Sequence, residues 1–368
     1  MAADAAGGET YNRIAELFGE ASMKCTSMIR LVGGASFALA FAAAAGAATY
    51  KTIDPPGSVF TRPTSITDDG VITGFYGTDL FAFHGFVRNA DGTYATFDPD
   101  HSQSTGPRGI DGKGRIFGSY SWNDRGHSRG FMRNSDGAIT SFTVQGSDFT
   151  EVTAMDPEGG LTGTYKNRAG RSYAFLRSPK GKFETFKLPH SVWTIGYGIN
   201  NAGVIAGGYT TFDDLPHQRS HSFFRTPDGS ITSFDPPAAK ISIPVAINAA
   251  GVITGWFDSA LSADTKFERH TLCFVRHADG TFTTFRPNAS SVETKPWAIN
   301  AAGTIVGTYE TTDLITHAFL RETDGTILNI DHPDSKRDTV PMAIRDDGVI
   351  AGNFDGKDGV THGFIRTP

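Results

Sequence analysis

Short apolar segments alternate with polar turns from about residue 49 to the end of the chain. Val71 to Tyr76 and His84 to Arg88 are typical: each is five or six residues long and rich in β-branched or aromatic side chains. Segments of this composition that are bounded by Gly, Asp and Asn are characteristic of β-strands. Few stretches with helical periodicity interrupt them, so the hydrophobic pattern predicts an all-β fold.

One motif recurs seven times in register, and its first glycines lie 44 to 52 residues apart. It contains a glycine, an apolar-x-Gly segment and an aromatic residue two positions after the second glycine. The first glycines are Gly70, Gly114, Gly159, Gly203, Gly251, Gly303 and Gly348. The aromatic residues are Tyr76, Tyr120, Tyr165, Tyr209, Phe257, Tyr309 and Phe354.

A second motif follows each copy of the first. It carries a phenylalanine, an arginine two residues later, usually an Asp-Gly turn, and a strand that often ends in Phe-Asp-Pro. The phenylalanines are Phe86, Phe131, Phe175, Phe223, Phe274, Phe319 and Phe364. Asp-Gly is a strong hairpin signal. Each repeat therefore encodes four antiparallel strands in roughly 45 residues, the size of one β-propeller blade.

The two ends of the repeat region complement each other. The last repeat stops at Pro368, after its third strand, whereas Thr49 to Asp54 resembles the missing fourth strand. Pairing of these segments would remove the open edges that invite aggregation. We therefore predict a seven-bladed β-propeller of four-stranded antiparallel blades over residues 49–368, closed by an N-terminal strand that completes the last blade.

Residues present in every repeat are assigned structural roles. The repeated Phe and Tyr side chains are expected in the core, and the first glycines should have positive φ. The repeated arginines are expected to pair with the aspartates of Phe-Asp-Pro. Four histidines at equivalent places (His84, His221, His317 and His362) are expected to form structural hydrogen bonds, because equivalent positions on different blades lie too far apart to share a metal ion.

The repeats resemble a known group. His317-Ala318-Phe319, with His84-Gly85-Phe86 and His362-Gly363-Phe364 as variants, is similar to the signature of the bacterial extracellular repeats called the HAF family. Many members continue with Leu-Trp, whereas this chain continues with Arg and Phe-Asp-Pro, which indicates a variant subgroup. The resemblance implies an extracellular location and no particular activity.

Residues 1–48 read as an N-terminal extension followed by a signal peptide. Leu31 to Ala48 is an apolar run without a charge, Lys24 and Arg30 precede it, and Ala45-Gly46-Ala47 is a cleavage-type sequence. We expect the start at Met23, cleavage near Ala47 and a periplasmic or extracellular destination; an uncleaved membrane anchor is the alternative. After cleavage no membrane span would remain.

Charge, cysteine content and motifs exclude several functions. The net charge of -6 argues against nucleic-acid binding. Outside the signal region Cys273 is the single cysteine, and its strand position favours burial. The chain contains none of the sequence motifs of zinc proteases, serine hydrolases or P-loop proteins. We therefore expect a monomer without cofactor or metal.

Departures from the repeat give the candidate site. The connections between fourth and first strands, and between second and third strands, vary in length and should share one face of the propeller, which we call the long-loop face. Variable loops on a rigid scaffold commonly carry function. We predict a binding module for an extracellular glycan, peptide or protein; the alternative is a propeller enzyme of the lyase, lactonase or hydrolase type at the axial mouth of the same face. The candidate binding residues are Trp122, Arg125, His127, Trp193, Trp256, Lys295 and Trp297.

Overall fold

A computed structural model describes residues 48–79, 81–123, 126–214, 219–259 and 271–368. Throughout these ranges the regular structure is β-strand, with no helix, as the hydrophobic pattern predicted. Nothing within them could cross a bilayer as a helix. Residues 1–47, which hold the expected signal peptide, lie outside the described ranges, as does Arg125.

The described strands form repeating antiparallel groups of four, which we call units, with strands a to d in chain order. In chain order they are β1 (Thr49–Ile53); β2 (Phe60–Ile66), β3 (Ile72–Gly77), β4 (His84–Arg88) and β5 (Tyr94–Phe97); β6 (Ser104–Ile110), β7 (Ile116–Asn123), β8 (His127–Arg133) and β9 (Ile139–Phe142); β10 (Thr150–Met155), β11 (Leu161–Lys166), β12 (Ser172–Arg177) and β13 (Phe183–Phe186); β14 (Ser191–Ile199), β15 (Ile205–Thr211), β16 (His221–Arg225) and β17 (Ile231–Phe234); β18 (Ala239–Ile247), β19 (Ile253–Ser259), β20 (Thr271–Arg276) and β21 (Phe282–Phe285); β22 (Glu293–Ile299), β23 (Ile305–Glu310), β24 (Thr316–Arg321) and β25 (Ile327–Asn329); β26 (Ser335–Ile344), β27 (Ile350–Gly356) and β28 (Thr361–Thr367).

The first strand of the chain belongs with the last three. β1 runs antiparallel to β28, with Thr49 opposite Thr367 and Ile53 opposite Gly363. The Tyr50 hydroxyl adds a hydrogen bond of 3.1 Å to the Ile330 carbonyl. β1 therefore occupies the strand-d position beside β26, β27 and β28.

The core consists of the residues that the repeat marks. All seven phenylalanines of strand c have no exposed surface, which confirms their predicted role. The turn glycines that begin each motif have positive φ, including Gly203 at 73° and Gly251 at 77°. Such a backbone favours glycine because a Cβ would meet the neighbouring carbonyl oxygen. The sequence therefore specifies both the core and the a–b turns.

The repeated arginines do not pair with the Phe-Asp-Pro aspartates, so that expectation was wrong. His84 begins strand c beside Asp98 at the end of strand d, whereas Arg88 ends strand c opposite Tyr94. In four units histidine and aspartate therefore meet at one end of the hairpin and arginine lies at the other. Four His–Asp pairs have Nδ1–Oδ2 distances of 2.6 to 2.7 Å: His84–Asp98, His221–Asp235, His317–Asp331 and His362–Asp54.

The arginines instead join consecutive units. Each of five guanidinium groups lies over a phenylalanine ring in strand d of the preceding unit, at 4.4 to 5.1 Å from the ring centre. A cation over an aromatic face is attracted by the quadrupole of the ring. The pairs are Arg133 with Phe97, Arg177 with Phe142, Arg225 with Phe186, Arg276 with Phe234, and Arg321 with Phe285.

Candidate functional site

Strand a of every unit has a register shift at the same place, and the repeat varies around it. A buried Thr or Ser precedes the shift in each unit. The position after this residue carries Arg62, Gly106, Glu151, Ile195, Ile243, Lys295 or Val340. The inserted position carries Thr64, Arg108, Thr153, Tyr197, Val245, Trp297 or Met342. These two positions combine charged, aromatic and aliphatic residues where the rest of the strand is nearly constant.

Charged groups at these positions interact with neighbouring carboxylates. Arg108 Nη2 lies 2.9 Å from Glu151 Oε1, which joins the second and third units. Lys295 Nζ lies 2.6 Å from Glu293 Oε1. Burial lowers the pKa of Arg62, and the charge of Asp355 partly offsets that effect. The a strands therefore present paired charges from several units rather than one repeated residue.

An aromatic and charged cluster lies at the long-loop face of the second and third units. The Arg129 guanidinium lies 4.3 Å from the centre of the Trp122 ring, and the His127 ring lies 5.6 Å from it. His127 Nε2 is 3.3 Å from Asp148 Oδ2. Trp122 packs partly against the core, so it supports His127 and Arg129 rather than offering a free ring face.

A cleft of about 480 Å³ opens beside this cluster. One wall is the d–a connection that leads to β10 and the other is the b–c connection between β11 and β12. The lining residues are Gly146, Ser147, Asp148, Lys166, Asn167, Arg168 and Gly170. Loop hydrogen bonds hold the walls in place: Ser147 Oγ donates to the Phe149 carbonyl at 2.7 Å.

Lys166 is the half-buried cation of the cleft. Its Nζ lies 4.5 Å from the centre of the Phe149 ring. Burial lowers the pKa of Lys166, while the charges of Glu151 and Asp148 raise it in part. Both of those carboxylates also contact a second basic side chain, Arg108 and His127 respectively. Through these carboxylates the charges of the cleft are connected to the charged residues of strand a in the second and third units.

Two of the predicted binding residues are buried, which corrects the expectation that they would be exposed on loops. Trp193 lies in β14 and is 4% exposed, and Trp256 lies in β19 and is 6% exposed. The Trp193 indole covers Gly208, where a Cβ would lie 3.3 Å from the ring. Trp256 stands opposite the buried Ile243 on the adjacent strand.

The remaining candidates keep some access to solvent. Trp297 is partly buried, and its Nε1 donates to Thr308 Oγ1 at 3.0 Å. Lys295 is partly buried beside Glu293. Trp122 and His127 flank the cleft, whereas Trp297 and Lys295 lie on β22 of the sixth unit. The structure therefore places these four remaining candidates in two sectors, one at the second and third units and one at the sixth.

The sector of the sixth and seventh units is acidic where the cleft is basic. Burial raises the pKa of Glu310, and the like charges of Glu293 and Asp338 raise it further. Over the ranges that the structure describes, no set of three His, Cys, Asp or Glu residues is arranged to hold a metal ion. Cys273 is buried, and burial raises the pKa of its thiol to about 12, so it is a core residue.

No protein-family model and no curated protein sequence matches this chain. Similar solved structures are β-propeller proteins. Virginiamycin B lyase from Staphylococcus aureus, a catalytically inactive form with quinupristin, is 15% identical with a TM-score of 0.56, covering 87% of this chain and 99% of that one. Oligogalacturonate lyase in complex with manganese is 11% identical with a TM-score of 0.60, covering 86% of this chain and 92% of that one.

The β-propeller domain of the Trilobed protease from Pyrococcus furiosus has a TM-score of 0.55 at 9% identity, covering 83% of this chain and 95% of that one. At these identities the likeness concerns the fold alone. The described chain therefore has an all-β, propeller-like fold, and its chemistry must be argued from its own residues.

Proposed function

We propose that residues 49–368 form a closed propeller of seven blades, with β1 as the fourth strand of the last. Packing between the ends of the chain supports this arrangement. Ala351 of the last unit shares a core cluster with Ile72, Tyr76 and Phe86 of the first. β28 also makes a parallel contact with β2, as β12 does with β14 between the third and fourth units. The last junction thus uses the same contacts as an internal one.

Export and family are part of the same proposal. The basic start, apolar run and small residues within residues 1–48 favour a cleaved signal peptide and a periplasmic or extracellular protein. The His-x-Phe tripeptides favour a variant of the HAF repeats. Four of these histidines hold the end of strand d through aspartate, which gives the tripeptide a structural reason.

The function that the geometry supports best is a monomeric binding module for a glycan, peptide or protein at the long-loop face. The cleft of about 480 Å³ carries this proposal, because it is of ligand size and lies between two loops of the long-loop face. Its floor is held by strands of the third unit, so the loops are displayed on a rigid scaffold.

A propeller enzyme is the second candidate. Lys166 favours it, because a half-buried amine with a lowered pKa is more readily deprotonated and can act as a base or nucleophile. Similar folds also include two lyases. A bound ligand recovered in altered form would select this candidate, and its recovery unchanged would select binding.

A site-blocking experiment tests the proposed face. In a Cys25→Ser background, Ala169→Cys places a thiol on the exposed b–c loop of the cleft, and Lys180→Cys places one on the opposite face of the same unit. Cys273 is buried and should stay unlabelled. Each variant is coupled to a long polyethylene glycol chain and applied to arrays of glycans and peptides.

We expect the unlabelled protein to retain at least one array ligand, the chain at position 169 to abolish that retention, and the chain at position 180 to leave it intact. Retention that survives the label at 169, or the absence of any retained ligand, would contradict a binding site at this cleft.

A further inference from the structure

We propose that the cleft of the third unit binds an anionic polysaccharide, with Lys166, Arg168 and Arg171 facing its acidic groups and Phe212 supporting a sugar ring. This inference rests on the proposed binding function and names the ligand class for that site. Three observations carry it: the balance of charge, an exposed aromatic ring and the polar lining.

The b–c loop of the third unit is unusually basic. Residues 166–171 contain three cations and no acid, whereas the equivalent loop of the sixth unit, residues 310–315, contains two acids and no base. Glu151 and Asp148 are the carboxylates that act on the charge of Lys166, and each also contacts a second basic side chain, Arg108 and His127 respectively. In a chain with a net charge of -6, this sector retains an excess of positive charge. Such a surface attracts anions and repels cations.

An exposed aromatic ring continues the cleft toward the fourth unit. Phe212 is 46% exposed, and the Arg171 guanidinium lies 4.9 Å from the centre of its ring. The ring face has a negative quadrupole, so it attracts the weakly positive C–H groups on the face of a sugar. Arg171, which lies over this ring, can contact an acidic substituent of the same sugar.

The lining favours a sugar over an acidic peptide. All seven described lining residues are Gly, Ser, Asp, Asn, Lys or Arg. Recognition of extended peptides uses a free sheet edge with apolar pockets for alternate side chains, and the described lining has no apolar side chain beyond glycine; Arg clusters also bind acidic peptides, which a polyglutamate control distinguishes. This cleft offers hydrogen-bonding and charged groups for hydroxyls and acids. A polysaccharide with carboxylate or sulfate groups fits that chemistry.

The test is calorimetric titration of the full chain with alginate, dextran sulfate, uncharged dextran and polyglutamate. Arg168→Glu reverses one charge at the cleft, and Lys180→Glu makes the same change at an exposed site on the opposite face. Lys166→Met removes the half-buried charge and keeps an apolar stem beside Phe149. Circular dichroism and melting temperature confirm that each variant is folded.

We expect alginate or dextran sulfate to bind and dextran to be inert; the stronger of the two identifies carboxylate or sulfate as the preferred group. Arg168→Glu and Lys166→Met should each weaken binding by about tenfold or more, the typical effect of losing a charge-assisted contact. Lys180→Glu should change the affinity by less than about twofold, since it lies outside the site.

Equal weakening by Arg168→Glu and Lys180→Glu would mean non-specific attraction and would overturn the inference. So would tighter binding of polyglutamate than of both acidic polysaccharides, which would indicate a peptide ligand. If only a neutral array glycan binds, and the label at Ala169 blocks it, the binding function stands and the anionic ligand class fails. If no ligand binds at all, both the proposed binding function and the anionic ligand class fail.

Discussion

Replacing Ile53 by alanine is the most direct test of how the chain ends join. Ile53 lies on β1, is 2% exposed and packs in one cluster with Ile72, Phe86 and Ala351. Removing a buried isoleucine side chain to Cβ costs about 2–5 kcal/mol, depending on how far the site collapses. β1 is a terminal strand paired on one side, with room to relax, so we expect about 2–3 kcal/mol.

The assay is urea unfolding followed by tryptophan fluorescence, which reports on all four tryptophans of the propeller. Ile53→Ala should lower the midpoint without changing the slope, because the surface exposed on unfolding is nearly the same. Lys51→Ala is the matched control: Lys51 lies on the same strand and its side chain is exposed. Its effect should stay within about 0.5 kcal/mol, as for ordinary surface substitutions.

A chain that begins at Pro55 should lose more stability than Ile53→Ala. It lacks the whole of β1, and His362 loses Asp54, whose Oδ2 lies 2.7 Å from its Nδ1. Equal midpoints for Ile53→Ala and Lys51→Ala would refute the reasoning. β1 would then make no energetic contribution to the last unit, and the proposed closure would fail with it.

Three further predictions concern a turn, a titration and a thiol. Gly203→Val should cost at least about 1–2 kcal/mol more than Ala202→Val, because Gly203 has φ 73° and a β-branched residue is strained there; similar melting temperatures for the two variants would contradict the turn. The hydrogen bond to Asp235 raises the pKa of His221, so its stabilising effect is complete below the unfolded pKa of about 6.5 and is lost as pH rises through the folded pKa. The fall in melting temperature between about pH 6 and pH 8 should therefore be smaller in His221→Gln than in the parent, and an unchanged fall would exclude this pair as its source. Cys273, with a pKa of about 12, should resist iodoacetamide in the folded chain at about pH 8 and react after unfolding, as measured by peptide mass spectrometry; native-state labelling would show that it is accessible.

The fold could be predicted from the sequence because every unit repeats the same packing problem. Phe86 and its six counterparts are all fully buried, and the turn glycines that precede them all have positive φ. Seven agreeing copies reduce the ambiguity that a single short apolar segment would leave between strand and helix. The predicted pairing of the repeated arginines with the Phe-Asp-Pro aspartates was wrong, because such a contact depends on which end of a strand each residue occupies. Arg88 and Asp98 belong to one hairpin but lie at opposite ends of it.

The site was harder to predict because a residue that departs from the repeat is not necessarily exposed. Trp193 breaks the repeat, yet it is buried because Gly208 on the neighbouring strand leaves room for its indole. Lys166 and Arg168 were not predicted as site residues, because a single cation in a turn is common. The available signal was comparative: aligned with the other b–c loops, residues 166–171 are unusually basic.

The opposite face explains why variation concentrates at the long-loop face. There the a–b turns of adjacent units are joined by hydrogen bonds from side chains to backbone carbonyls. Asn200 Nδ2 donates to the Asn248 carbonyl at 3.2 Å, Asn248 to Asn300 at 3.2 Å, and Asn300 to Arg345 at 3.1 Å. A substitution in one turn would remove the hydrogen bond to the next, which contributes about 0.5–1.5 kcal/mol, although each acceptor carbonyl keeps the glycine N–H of its own turn. In the third unit the d–a turn keeps the hydrogen bond that recurs at this turn, from Ser147 N to the Val144 carbonyl at 3.0 Å, so the cleft differs from the equivalent places of other units in the side chains that its two loops carry.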